Sequence, residues 1–464
     1  MKIYNSLTRR KEEFTPLEEG KVKMYACGIT VSGEAHIGHA YQAIVYDMFR
    51  KFLQKQGYEV TYARNYTDVD DKIIARSKET GIPADEYAAK MIENINAVMR
   101  RAEIDEPDLW LKATENIGNI ISFIEELVRK GHAYPAENGD VYFDVDSCPS
   151  YGQLSGRSAD ESLDGVRVEN DEAKKNAYDF ALWKAAKQGE ISWDSPWGKG
   201  RPGWHIECSA MNRKYLGKTI DIHCGGQDLV FPHHENEIAQ SECANDCTFS
   251  KYWMHNGYIN VDNVKMSKSL GNFKTVREIA DVYGYEVIRY FLISSHYRSP
   301  INYNLEIIEQ CKSALERLYT CRESLDFAIK NAAHIDDDVD LINALNGRRE
   351  QFIEAMDDDL NTADGLSAVF ELVKDINTKI LDKAVSENVC KTAAKVFDEL
   401  CGVLGILYNR KSNDLDAEIE ALIEKRQEAR KNRDFATADK IRDDLKAQGI
   451  ILKDTPQGVT WTKE

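Results

Sequence analysis

The sequence predicts an α/β domain on a Rossmann-like parallel sheet interrupted by an insertion, followed by an all-α helical bundle and a small C-terminal α+β domain. Three observations carry this reading. A strand, a helix and a second strand follow one another near the start as a β-α-β unit. A second strand, turn, helix and strand resume after about residue 200, and from about residue 276 to 407 apolar residues recur almost wholly at helical spacing. At roughly 100–200 residues per domain, 464 residues should hold about three domains. The expected boundaries are 1–114 with 201–275 for the two halves of the sheet domain, 115–200 for a connective insertion, 276–410 for the bundle and 411–464 for the tail.

Val22, Met24 and Ala26 alternate as a strand does. After a turn from Gly28 to Gly33, one helix face carries Ile37, Ala40, Tyr41, Ile44, Val45, Met48, Phe49, Phe52 and Leu53, and Gly57 closes it. Residues 59–65 read as the second strand. Tyr87, Met91, Ile95 and Val98 mark another helix, and one more runs from about Thr114 to Gly131. Around Asn138-Gly139 the period changes to two over residues 140–145, a hairpin signal. The second half opens with a strand over 218–223, a Gly225-Gly226 turn, a helix started by Pro232 and a strand near 253–259. Acidic triplets punctuate the bundle; Asp357-Asp358-Asp359, before Leu360-Asn361-Thr362, reads as a helix-capping turn rather than a Mg²⁺ cluster.

Charged residues make up 30% and hydrophobic ones 42%, enough to bury a real core. The net charge of −18 excludes a general nucleic-acid coat protein, so a nucleic-acid partner needs a local basic patch. Residues 424–446 offer one, with eight Lys and Arg against six Asp and Glu; charge alone fits a solvated, salt-bridged helix equally well. The first residues contain no apolar signal core, and nowhere do about 18 uncharged apolar residues run together, so a cytoplasmic protein with no membrane partner is expected. Ten scattered cysteines do not make a disulfide framework; each is a buried thiol, a ligand or a catalytic group.

Two short motifs bear chemistry. His36-Ile37-Gly38-His39 falls in the first turn of the first helix, where backbone N–H groups and the helix dipole favour phosphate, and Gly38 leaves room for a base or ribose. Lys265-Met266-Ser267-Lys268-Ser269 places two lysines in a small-residue loop suited to clamping a polyphosphate. A third constellation suits Zn²⁺. His233 and Glu237 stand i, i+4 on one helix, the spacing that lets two side chains meet one metal, whereas His234 plus four is apolar Ile238; spacing alone does not rule out His234 with Glu237 at i, i+3, and Cys27 and Cys208 would add two thiolates. Cys243 and Cys247 compete, without a second ligand pair at zinc-site spacing.

The two motifs resemble the HIGH and KMSKS signatures of class I aminoacyl-tRNA synthetases. Cys27-Gly28-Ile29-Thr30-Val31, Asn65-Tyr66-Thr67-Asp68-Val69-Asp70-Asp71-Lys72, Gly203-Trp204-His205-Ile206-Glu207-Cys208-Ser209 and Phe231-Pro232-His233-His234-Glu235-Asn236-Glu237 narrow the resemblance to the cysteinyl-tRNA synthetase family. It covers essentially the full chain, since Ala438-Asp439-Lys440-Ile441-Arg442-Asp443 and Gly458-Val459-Thr460-Trp461 are similar to that family's anticodon-binding tail. Ser32-Gly33 stands where the family usually has Tyr-Asp, Tyr41 where it usually has Arg, and Cys224 where Gly is frequent.

The resemblance implies ATP-dependent ligation of L-cysteine to tRNA(Cys) through a cysteinyl-adenylate. It implies catalytic roles for His36, His39, Lys265 and Lys268; ATP contacts at Gly38, Asp228 and Lys268; and Cys27, Thr67, Trp204 and His223 around the amino acid, with core packing an equal reading of Trp204. It selects Cys27, Cys208, His233 and Glu237 for one Zn²⁺ per chain that reads the substrate thiol, with Mg²⁺ accompanying ATP, and a monomer is expected. Two alternatives are a cysteine ligase of thiol biosynthesis, similar to the mycothiol-pathway enzyme, and a non-catalytic RNA-binding paralogue. The basic tail with Trp461 weighs against the first, and the intact motifs and ligand set against the second.

Overall fold

Five parallel strands form the central sheet in the order Ser250–Asn256, Ile220–Gly226, Lys21–Thr30, Glu59–Thr67 and Leu109–Lys112. The chain winds outward from Lys21–Thr30 in one direction through its first half and returns to that strand's other side with Ile220–Gly226. Such a reversal opens a crevice at the carboxyl ends of the two adjoining strands. Inner strands are covered on both faces and so read as near-continuous buried runs, as Ile220–Gly226 does. The computed structural model describes residues 1–158, 173–266, 270–410, 413–432, 434–447, 450–455 and 458–463. They divide into two compact units, one of Met1–Cys311 with Glu354–Asp364 and one of Lys312–Ile353 with Gly365–Glu464. The expected Rossmann-like parallel sheet is present, and helical and small α+β parts follow it.

The insertion supplies the helix Ile117–Lys130 and an antiparallel sheet in the order Ala133–Pro135, Val141–Phe143, Phe180–Ala185, Gly200–Pro202. Its core of Ile120, Phe123, Ile124, Leu127, Val141, Phe143 and Trp183 also takes in Ile206 and Ala210 from the helix Trp204–Tyr215 and Ala239 from the helix Glu235–Asn245. The insertion thereby packs behind the two helices that carry Cys208 and Glu237. Burial of this apolar set, at roughly 25 cal/mol per Å², holds those helices against the insertion.

The second-half helix kinks at Phe231 and keeps helical φ/ψ from Pro232 onward, as expected, passing through a wider π-type turn before the regular α-helix Glu235–Asn245. The structure differs from the sequence reading in two places. The helical run from Val276–Tyr283 and Tyr285–Ile293 is interrupted by a strand, Ile301–Tyr303, which pairs in parallel with Ile259–Val261. Asp359 does not cap a helix. Its buried carboxylate accepts from Tyr4 N at 2.7 Å, Tyr297 Oη at 2.8 Å and Arg298 Nε at 2.7 Å, while Asn361 Oδ1 takes Asp364 N at 3.2 Å and caps the helix Thr362–Asp375. Asp338, in the other triplet, does cap, accepting from Leu341 N at 2.9 Å at the start of Val339–Asp357.

The second unit continues with the helix Glu387–Leu404 and ends in the helices Asn413–Lys431 and Phe435–Ala447 and the antiparallel hairpin Ile450–Thr455 with Gly458–Lys463. This last part has its own apolar cluster of Ile419, Ile423, Leu445, Ile450 and Val459. No described helix is long and apolar enough to cross a membrane.

Candidate active site and metal centre

Cys27 owes its position to a break in the sheet. Lys21–Thr30 pairs in register with Glu59–Thr67 as far as Ala26, then shifts and resumes at Ile29. A bulge of this kind re-aims a side chain, and the pair it displaces is Cys27-Gly28. A Cβ at Gly28 would lie 1.4 Å from the Asn65 carbonyl oxygen, so only glycine fits there, and its N–H donates to Asn65 Oδ1 at 2.8 Å. The bulge turns Cys27 Sγ towards Cys208 Sγ, 3.8 Å away, and Glu237 Oε1, 3.1 Å away.

Four potential ligands meet here. Cys27, Cys208, His233 and Glu237 are all buried, and one ligand atom from each lies within 4.8 Å of the others. His233 Nε2 stands 2.9 Å from Glu237 Oε1 and 3.6 Å from Cys208 Sγ, while its Nδ1 faces His205 Nδ1 at 3.0 Å. A second set of equal compactness shares two members: Cys27, His223, His234 and Glu237. Spacing left His233 and His234 open as partners of Glu237, and the turn preceding Glu235 brings both imidazoles to the carboxylate. Among the described residues, neither Cys243 with Cys247 nor the aspartate triplets form such a group.

The protonation pattern favours the ionised forms of Cys208 and Glu237. Burial opposes ionisation of Cys208, yet the hydrogen bond with Cys27 and the His233 cation bring its thiol down to about 6. Burial, and then the neighbouring Cys208, push Cys27 well up. His233 rises to about 10 against the effect of burial, because Glu237 and Cys208 stabilise its imidazolium. Burial also opposes the Glu237 carboxylate, but His223 and His233 hold it well below the usual carboxylate range. Burial drives His234 down, and its Nδ1 pairs with His255 Nε2 at 2.8 Å.

The residues expected around an amino acid border this cluster. His223 Nε2 lies 3.4 Å from Cys27 Sγ and 3.2 Å from Glu237 Oε2. Trp204 is 38% exposed, and its ring stacks on His233 with centroids 4.3 Å apart, so it covers the cluster from the surface rather than filling the core. Thr67, at the end of its strand, donates from Oγ1 to Glu207 Oε2 at 2.8 Å. Sequence reasoning gave Glu207 no role. The available signal was a carboxylate in the first turn of a helix whose next residues are small or apolar.

The expected nucleotide residues lie at the start of the helix Ile37–Lys55. His36 caps it: His36 Nδ1 accepts from His39 N at 3.3 Å, and His39 Nδ1 accepts from His36 N at 3.4 Å. Accepting at Nδ1 leaves Nε2–H as the donor of each neutral ring. Two N–H groups expected to be available to phosphate are engaged, His39 N with His36 and Ile37 N with the Lys274 carbonyl at 3.2 Å, so the imidazoles are the stronger donors here. A Cβ at Gly38 would press on His36 Nδ1 at 2.9 Å and reach Met266 Cε at 3.6 Å. Backbone bonds from Ile37 N to Lys274 O and from Val276 N to Ala35 O join this turn to the segment after the lysine loop. Lys265 is exposed, with Nζ 3.8 Å from the Tyr258 ring centroid; Lys268 lies outside the described residues. Asp228 is exposed in the short turn Gln227–Leu229 that follows Ile220–Gly226.

The unusual residues have local partners. Tyr41 Oη donates to the Tyr297 carbonyl at 2.8 Å, and Cys224 Sγ to the Tyr25 carbonyl at 3.2 Å, both buried.

Comparison with known proteins agrees along the whole chain. Residues 13–313 match the family described as tRNA synthetases class I (C) catalytic domain, 351–408 the DALR domain, and 412–461 the cysteinyl-tRNA ligase anticodon binding domain. A cysteine-tRNA ligase of Clostridioides difficile is 53% identical over 466 residues, covering 100% of both chains. One of Bacillus licheniformis is 52% identical over 463 residues, covering 99% of this chain and 98% of the relative. Among solved structures, Mycobacterium tuberculosis methionyl-tRNA synthetase in complex with methionyl-adenylate shares the fold at a TM-score of 0.61 and 16% identity, over 83% of this chain and 89% of that one. Relatives of the same length at more than half identity, with catalytic and anticodon-binding matches in the same order, lead to one conclusion: the chain belongs to the cysteinyl-tRNA synthetase family, ligases that charge tRNA(Cys) with cysteine at the expense of ATP.

Proposed function

We propose that the crevice at the carboxyl ends of Lys21–Thr30 and Ile220–Gly226 activates L-cysteine and passes it to tRNA(Cys), with Cys27, Cys208, His233 and Glu237 holding one Zn²⁺. The observation that carries this reading is the buried sulfur, sulfur, nitrogen and oxygen donor set, a combination suited to zinc. The rival set would leave the Cys208 thiolate buried without a metal. Bound there, Zn²⁺ supplies a soft Lewis acid for a thiolate, which separates cysteine from serine where pocket shape discriminates poorly.

Thr67, Trp204 and His223 border the amino acid; Gly38 and Asp228 border ATP. The cysteine carboxylate is already ionised at neutral pH, so no side chain acts as a strong base. It attacks the α-phosphorus in line, the new C–O–P linkage forms, and the bond to pyrophosphate breaks. His36 and His39 donate through Nε2–H to phosphate oxygens, and Lys265 and Lys268 neutralise the departing pyrophosphate, alongside Mg²⁺ carried by ATP. A hydroxyl of the terminal adenosine of tRNA(Cys) then takes the cysteinyl group, and AMP leaves. The tail from residue 411 holds the anticodon end, and the enzyme works as a cytoplasmic monomer.

Cysteine-dependent ATP–pyrophosphate exchange, run with and without transfer to tRNA(Cys), tests the whole reading. Both activities are expected. Exchange without transfer would point to a different acceptor, and absence of exchange would overturn the assignment. Lys268→Ala is expected to slow adenylate formation about a hundredfold, a loss of roughly 3 kcal/mol, while cysteine binding is unchanged. Pre-steady-state adenylate formation at the wild-type rate would remove Lys268 from the chemistry.

A further inference from the structure

Glu207 sits in the first turn of the helix Trp204–Tyr215, beside Cys208, with its side chain fully buried. Its Oε2 receives the Thr67 hydroxyl at 2.8 Å, and its Oε1 has no hydrogen-bond partner among the described residues. The other carboxylate next to Thr67 is committed elsewhere: Asp68 accepts from Thr114 N at 3.1 Å and from Thr114 Oγ1 at 2.5 Å. A threonine hydroxyl carries one proton and two lone pairs. Burial, and then the neighbouring Cys208, push the Glu207 carboxyl well above the usual range, yet in the structure Oε2 is the oxygen that accepts from Thr67, and a proton on the carboxyl belongs on the unpartnered Oε1. With its own proton given to Oε2, the Thr67 hydroxyl has only lone pairs left, which accept. A group that meets Thr67 from the crevice must therefore be a donor.

Of the three polar groups of cysteine, only the α-ammonium is a strong donor; the carboxylate only accepts, and the thiol is the group read by a metal. We propose that Glu207 is a positioning residue for the substrate's α-ammonium: it takes the Thr67 proton at Oε2 and so fixes the Thr67 hydroxyl as an acceptor. The inference rests on the placement of Thr67 beside the amino acid. It extends specificity beyond the thiol, selecting free α-amino acids over thiol acids of the same shape.

The test uses the full zinc-loaded chain and 3-mercaptopropionate, which keeps the thiol and carboxylate of cysteine but lacks its amine, as a competitive inhibitor of cysteine-dependent exchange. Glu207→Leu is expected to raise KM for cysteine about tenfold to a hundredfold, the cost of a lost charge-assisted hydrogen bond. The Ki of 3-mercaptopropionate, the KM of ATP and zinc content should stay as in wild type, a pattern that general disruption of the helix would not give. Glu207→Gln, whose amide oxygen still accepts from Thr67, should show a smaller rise confined to cysteine. Thr67→Val with Glu207→Leu should be no worse than Thr67→Val alone, since both act through one hydroxyl. An unchanged KM for cysteine in Glu207→Leu, or an equal loss for cysteine and 3-mercaptopropionate, would overturn the inference. If the leucine variant sheds zinc, Glu207→Gln decides, and an unchanged KM there overturns it. Thr67→Val with unchanged KM would instead remove the placement of Thr67, whereas a raised KM in Thr67→Val alone would reject only the role of Glu207.

Discussion

Cys208→Ala is expected to leave the chain without zinc and to lower cysteine-dependent pyrophosphate exchange roughly a thousandfold or more, the scale on which a site built around one polar group rejects a mismatch. Cys208 is buried at the start of the helix Trp204–Tyr215, with Sγ 3.8 Å from Cys27 Sγ and 3.6 Å from His233 Nε2. Its thiol, brought down to about 6, is a thiolate at neutral pH and needs no deprotonation to bind a metal. Alanine removes that charge and leaves three of the four proposed protein donors. His234→Ala is the matched control. It disrupts the other compact set, Cys27, His223, His234 and Glu237, and is expected to keep its zinc. Metal analysis after dialysis reads both variants. Full zinc in Cys208→Ala together with loss in His234→Ala would move the metal to the second set. Because metal binding and folding are linked, thermal unfolding of each variant shows whether lost activity follows the metal or the fold.

The parallel sheet was legible because its inner strands, buried on both faces, alternate with amphipathic helices closed by glycine, as Ile37–Lys55 is before Gly57. Features set by tertiary contacts were not. Asp359 lies between two helices and carries the local signature of a cap, yet Tyr4, Tyr297 and Arg298, distant in sequence, claim its carboxylate. Ile301–Tyr303 is three residues long, too short for a period to emerge, and is a strand only because Ile259–Val261 lies beside it. The choice between His233 and His234 was invisible to spacing because i, i+3 and i, i+4 neighbours share one helix face, and the structure brings both imidazoles within reach of Glu237. Cys27 was a visible ligand candidate, but the bulge that aims it depends on the close approach of Gly28 to Asn65, which no local pattern contains. Glu207 stands within a recognisable run of residues, and its partner Thr67 is 140 positions away.

A chain ending at Arg410 is expected to activate cysteine at close to the full-length rate while losing roughly a thousandfold in kcat/KM for tRNA(Cys), the order that several lost phosphate contacts cost. The removed part has its own apolar cluster of Ile419, Ile423, Leu445, Ile450 and Val459, so its loss should not open the core of the sheet domain. It also holds the passage 424–446, where basic residues outnumber acidic ones in a chain of net charge −18. Within that passage part of the charge is already neutralised, since Arg442 pairs with Asp439 at 3.0 Å and Asp443 at 3.1 Å. Exposed pairs of this kind are worth little and are readily exchanged for phosphate. Binding of tRNA by the full chain should therefore weaken steeply as salt rises from 50 to about 200 mM, and the truncated chain should show a shallower slope. Pyrophosphate exchange, which involves no tRNA, should respond to neither change. Equal charging by the two chains at equal salt would show that the tail serves another purpose, and parallel loss of exchange and charging would show that it supports the fold of the catalytic domain instead.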